Sequence, residues 1–157
     1  MNAKTVNFSL VNNGGTLAPG DSIGATATNS APASIDQTHI VGDLTLNSGA
    51  LQIELSSTNF DSLLVDGLAT IGGTLNVLPL GFTPVNGDHW QIITAGALAG
   101  QFSSITSGYS VQQQGSNLVL YFGNSPSAAL VPEPAAILLV FVGIVFAGTA
   151  RIRVRHR

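Results

Sequence analysis

Cysteine is absent, so the chain has no disulfide framework, no zinc-thiolate site and no thiol nucleophile. Basic residues are nearly absent too. Residues 1–134 hold one, Lys4, against eight acidic residues, a formal charge of −7, while four arginines crowd the last seven positions. Phosphate backbones need a basic surface, which argues against nucleic acid as a partner. Charged residues of both signs make up only 8% of the chain, leaving Ser, Thr, Asn and Gln to form the polar surface, unlike the usual cytoplasmic enzyme. Helical periodicity is missing before residue 135. An apolar signal-peptide core is missing as well, because Asn7, Ser9, Asn12 and Asn13 interrupt the stretch after Lys4.

What is present is concentrated at the C-terminus. Val131-Pro132-Glu133-Pro134 precedes sixteen uncharged residues, Ala135 to Ala150, and then Arg151, Arg153, Arg155 and Arg157. As a helix, that run spans about 24 Å against a hydrocarbon core of about 30 Å. Ile152 and Val154 extend its apolar character, and Arg151 and Arg153 can lay their stems along it with the guanidinium heads at the interface. The arginines are a membrane stop and place the C-terminus in the cytoplasm, with residues 1–134 outside. Pro132 and Pro134 disfavour helix just before them and separate the anchor from the body. A buried core helix would carry a polar stripe, and Ala135–Ala150 has none.

The order Pro132-Glu133-Pro134, one hydrophobic helix and a terminal arginine cluster resembles the PEP-CTERM sorting signal of Gram-negative bacteria. Proteins with that tail are exported and processed by a membrane transpeptidase, the exosortase, in species that make extracellular polysaccharide. The resemblance implies that Pro132, Glu133 and Pro134 are the recognition element, with cleavage near them. An exported chain also needs an N-terminal signal peptide. Its absence from residues 1–10 leads to the expectation that sequence is missing upstream or that the start lies elsewhere.

The body reads as β-structure. Short runs such as Leu44-Thr45-Leu46, Leu51-Gln52-Ile53-Glu54-Leu55, Leu63-Leu64-Val65, Leu75-Asn76-Val77, Trp90-Gln91-Ile92-Ile93 and Leu118–Phe122 are separated by Gly, Asn, Asp or Ser clusters. Leu44, Gly49, Leu51 and Ile53 recur as Leu68, Gly73, Leu75 and Val77, each pair 24 residues apart. Gly14-Gly15-Thr16-Leu17 matches Gly72-Gly73-Thr74-Leu75 residue for residue. A period in the twenties suits one rung of a parallel β-helix, in which a Gly forms the corner and the next aliphatic residue points inward. A β-sandwich accounts for the strands equally well, though not for the register.

Residues 13–122 carry a second resemblance. Gly15 to Gly24, Gly42 to Leu51, Phe60 to Gly67, Gly72 to Val77 and Gly87 to Ile93 with Gly100-Gln101-Phe102 are similar to the C-terminal rungs of autotransporter-passenger-like repeat proteins. That likeness implies a right-handed parallel β-helix displayed on, or released from, the cell surface. Residues 25–40 are longer and looser than the usual link. No translocator barrel follows within these 157 residues, so the PEP-type tail would stand in for self-secretion.

Several signals tempt a catalytic reading. Gly20-Asp21-Ser22-Ile23-Gly24 satisfies the G-x-S-x-G elbow, and Asp36-Gln37-Thr38-His39 is a D-x-x-H. The elbow needs a strand before it and a helix after it, whereas Pro19 precedes and an unpatterned stretch follows, so a turn between rungs is the better account. His39, His89 and His156 show no metal-ligand spacing. Asp61 and Asp66 are conceivable as an acid–base pair, although solvated turn residues are the plainer reading. Calcium repeats of the G-G-x-G-x-D type are absent. Trp90, Phe102, Tyr109, Tyr121 and Phe122 are candidates for a carbohydrate-stacking face, with core placement the preferred alternative.

The expected organisation is a β-helix-like repeat domain over 1–123, with Leu118–Phe122 as its terminal strand. A Pro/Ser linker with the PEP motif follows over 124–134, then a transmembrane helix over 135–150 and a basic cytoplasmic tail over 151–157. The expected role is that of an exported cell-surface or matrix structural protein without cofactor, metal or catalytic residues. Its expected partners are an exosortase-type transpeptidase, the membrane and extracellular polysaccharide. It would pass through the inner membrane before reaching the surface. The alternatives are a carbohydrate-active β-helix enzyme fragment and an uncleaved membrane-anchored surface protein.

Overall fold

A computed structural model describes residues 4–20 and 35–124. The alternating runs form strands throughout: β1 (Lys4–Val6), β2 (Leu10–Asn12), β3 (Thr16–Leu17), β4 (Gln37–Ile40), β5 (Leu44–Leu46) and β6 (Ala50–Leu55). They continue as β7 (Ser62–Ile71), β8 (Thr74–Pro79), β9 (His89–Gly100), β10 (Ser104–Ile105), β11 (Tyr109–Gln114) and β12 (Asn117–Phe122). The protein is all-β.

The 24-residue repeat is visible as register. In a four-stranded sheet ordered β10-β8-β6-β3, every pair is parallel, and Leu51 lies opposite Leu75 and Ile53 opposite Val77. Leu17 and Ile105 extend the first of these rows on either side. The matched tetrapeptides also align, with Thr16 and Thr74 both opposite Ala50. Leu44, by contrast, pairs with Ala69 and not with Leu68. The second sheet has eight strands, running β1-β4-β7-β9-β12-β11, with β2 and β5 packed alongside and β5 joined to the second half of β7. Its inward rows are equally regular: Val6, Ile40, Val65 and Ala95 follow one another across β1, β4, β7 and β9, all buried. Row-on-row stacking of aliphatic side chains makes one continuous core.

Gly73 shows what holds the tiers close. Its φ of +65° is one that only glycine adopts readily, and a Cβ there would collide with the Gly49 carbonyl in the bend that leads into β6.

The right-handed parallel β-helix expected from the repeats is not what forms. Beyond β9 the chain reverses: β12 runs antiparallel to β9, and β11 antiparallel to β12, so the eight-stranded sheet is mixed. The cause is local. A two-residue turn, Gly115-Ser116, joins β11 to β12 with Gly115 at φ +62°, the conformation that tight hairpin turns require. The strands are also unlike short rungs, since β7 and β9 run for 10 and 12 residues, bridged by a register shift between Val65 and Leu68. The β-sandwich alternative does not hold either, because the four-stranded sheet is wholly parallel. The expected transmembrane helix at 135–150 lies outside the described residues. Among the described residues there is no helix, and hence none long and apolar enough to cross a membrane.

Candidate functional site

The D-x-x-H pairing does not assemble. The Asp36 backbone N–H is held by Asp61, while His39 turns to a different carboxylate: its Nε2 lies 2.8 Å from Asp66 Oδ1. Parallel pairing of β4 with β7 puts His39 opposite Leu64, two residues from Asp66, on the outward face. With side chains 29% and 52% exposed, solvent screens the pair and its contribution to stability is small. Of Gly20-Asp21-Ser22-Ile23-Gly24, only Gly20 is described; its N–H donates to Thr38 Oγ1 at 3.3 Å. His156 lies outside the described residues.

Asp61 and Asp66 do not act as a pair. Asp61 is fully buried. Its Oδ1 accepts the Asp36 N–H at 3.0 Å and its Oδ2 the Glu54 N–H at 2.9 Å. The carboxylate therefore clamps the entry of β4 to the end of β6, a structural task set by backbone donors that would otherwise be unmet in the interior. Asp66 is exposed beside His39. Among the described residues no group of three His, Asp or Glu gathers in a metal-binding arrangement.

The aromatic residues divide. Phe102 is buried in the core. Trp90, Tyr109 and Phe122 interlock with Phe82. Ring centroids stand 6.4 Å apart for Phe82–Trp90, 6.4 Å for Trp90–Tyr109 and 5.0 Å for Tyr109–Phe122, edge-on or tilted. Tyr121 points to the opposite side of β12, where His89 stacks on it at 5.6 Å. No flat five-ring face results, since alternation along β12 sends Tyr121 and Phe122 to opposite sides. Burial, and then the Asp88 carboxylate, push the Tyr109 phenol above its usual pKa. Its hydroxyl is buried without a hydrogen-bond partner.

One open cleft adjoins this cluster, with a volume of about 380 Å3. Ser56 and Ser57 line it from the turn after β6, Phe82 from the loop after β8, and Gly87 to Trp90 from the start of β9. Its parts are fixed. Asp88 Oδ2 accepts the Val85 N–H at 2.8 Å, closing the turn that leads into β9. His89 Nδ1 donates to the Gly87 carbonyl at 3.3 Å. Trp90 is wedged between Phe82 and Tyr109. Sequence reasoning singled out Trp90 and His89 but missed Phe82, Asp88, Ser56 and Ser57. The Val85–Asp88 turn was the available signal, since it precedes β9 and lies between Phe82 and Trp90.

The sequence-derived sorting residues, Pro132, Glu133 and Pro134, and the membrane-stop arginines, Arg151, Arg153, Arg155 and Arg157, lie outside the described residues. Compared with family models, curated proteins and solved structures, the chain matches none.

Proposed function

We propose that this protein is an exported structural or adhesive component of the cell surface or extracellular matrix, associated with extracellular polysaccharide. In this reading an exosortase-type membrane transpeptidase acts on its C-terminal tail while the chain is held in the inner membrane. The observation that carries it is the C-terminal succession of Pro132-Glu133-Pro134, an uncharged run from Ala135 to Ala150 and four arginines. A basic flank of this kind stays cytoplasmic and leaves the body on the other side.

The described body supports the same reading. Six carboxylates and a single cation, Lys4, stand among the described residues, and the outward rows carry small neutral side chains such as Thr45 and Thr70. Stacked strands with such faces present a regular, weakly charged surface, suited to contact with neutral polymers.

The test is surface labelling of intact cells. An epitope inserted at Gly81, where the surroundings are open, should be reached by antibody without permeabilisation. Labelling only after the inner membrane is breached would overturn the proposal.

A further inference from the structure

We propose that the Trp90 cleft is a binding site for an uncharged pyranose unit of a polysaccharide chain. The inference rests on the reading of the protein as a polysaccharide-facing surface component, and it names the chemistry of the glycan that such a protein would hold.

A pyranose ring has an apolar C–H face and a rim of hydroxyls. It therefore needs an aromatic platform beside a few fixed polar groups. The cleft supplies both. Trp90 and Phe82 form the apolar wall, while Ser57 and Asp88 form the polar one. Its volume of about 380 Å3 falls at the lower end of small-molecule sites, about 300–1,000 Å3, a size for one or two sugar rings and not for a protein segment.

The polar groups are directed before any ligand arrives. With Oδ2 committed to the Val85 N–H, Asp88 presents Oδ1 as an acceptor for a sugar hydroxyl. His89 stacks on Tyr121, on the other face of the sheet from Trp90, and adds no side-chain acceptor to this wall. Ser57, on the opposite lip, can donate and accept. Such preorganisation lowers the cost of ordering the site on binding.

Charge narrows the ligand class. No Lys or Arg lines the cleft, and Asp88 does. A uronate or sulfated sugar would bring a second negative charge against that carboxylate with no cation to offset it. A neutral hexose chain meets no such penalty.

Trp90 is the sole tryptophan, so its emission reports on the cleft directly. The full chain, held in a zwitterionic detergent without a sugar headgroup, is titrated with neutral gluco-, galacto- and manno-hexasaccharides and with an oligogalacturonate of equal length. At least one neutral sugar should change Trp90 emission saturably, and the oligogalacturonate should not. Asp88→Asn should weaken that response about ten-fold, the loss of one charge-assisted hydrogen bond. Ser57→Phe, which fills the cleft from an exposed position, should abolish it with an unchanged circular dichroism spectrum. No saturable response to any neutral sugar overturns the proposal. So does an equal response to the oligogalacturonate, or one that survives Ser57→Phe. Failure here beside positive surface labelling removes the sugar site alone, whereas sugar binding without surface labelling removes the export reading alone.

Discussion

Tyr109 and Asp61 illustrate how single polar groups are handled in this fold. The Tyr109 phenol is pushed up by burial and by Asp88. The folded state therefore holds that proton more tightly than the unfolded chain, and the linked stability is present below the ordinary tyrosine pKa of about 10 and lost as pH climbs through the raised folded value. Tyr109→Phe should lessen this alkaline loss, measured as the denaturation midpoint between pH 9 and 11. It should cost little at pH 7, because the hydroxyl has no partner to lose. Asp61 is the costlier residue to lose. Asp61→Ala strands two backbone N–H groups and should destabilise the fold by about 3 kcal/mol in urea unfolding. At this scale the sequence was partly legible. Trp90 and His89 stood out by type, but the pairing of His39 with Asp66, not Asp36, depends on strand register, which no local motif reveals.

The elements carry the stability, and their registers say where. Leu75 is buried between Leu51 and Ile105, while Leu78 on the same strand is 41% exposed. Leu75→Ala should cost about 3 kcal/mol and Leu78→Ala well under 1 kcal/mol, read from the same urea curves. Two glycines make a second contrast. Gly115 sits at positive φ with open space around it, so Gly115→Ala should cost about 1–2 kcal/mol from backbone strain alone. Gly73→Ala adds a collision with the Gly49 carbonyl and should cost distinctly more, seen as a larger fall in Tm. The repeat made the parallel register of β6 and β8 legible, because Leu51 stacks on Leu75 and Ile53 on Val77 at the repeat spacing. The antiparallel hairpin was not legible. Gln112-Gln113-Gln114 gives β11 no apolar alternation at its end, and period-two alternation in β12 looks the same whichever way its partner runs. The lengths of β7 and β9 were hidden by Gly67 and Gly96, which read as breaks but sit within continuous strands.

At the scale of the molecule, the body and the tail differ in kind. The body is a β-structure whose parallel tiers end in an antiparallel hairpin, and its outer surface is poor in charge. The proposed destination of the protein rests on the tail, where the acidic body and the basic terminus are divided by an apolar run. The most direct test is the intact mass of the mature protein recovered from cells that make an exosortase-type transpeptidase. The account predicts a chain shortened near Pro132–Pro134 that lacks Ala135–Arg157, and full-length protein in the membrane when the transpeptidase is removed. A full-length chain ending at Arg157, found free in the cytosol of cells containing the transpeptidase, would contradict it.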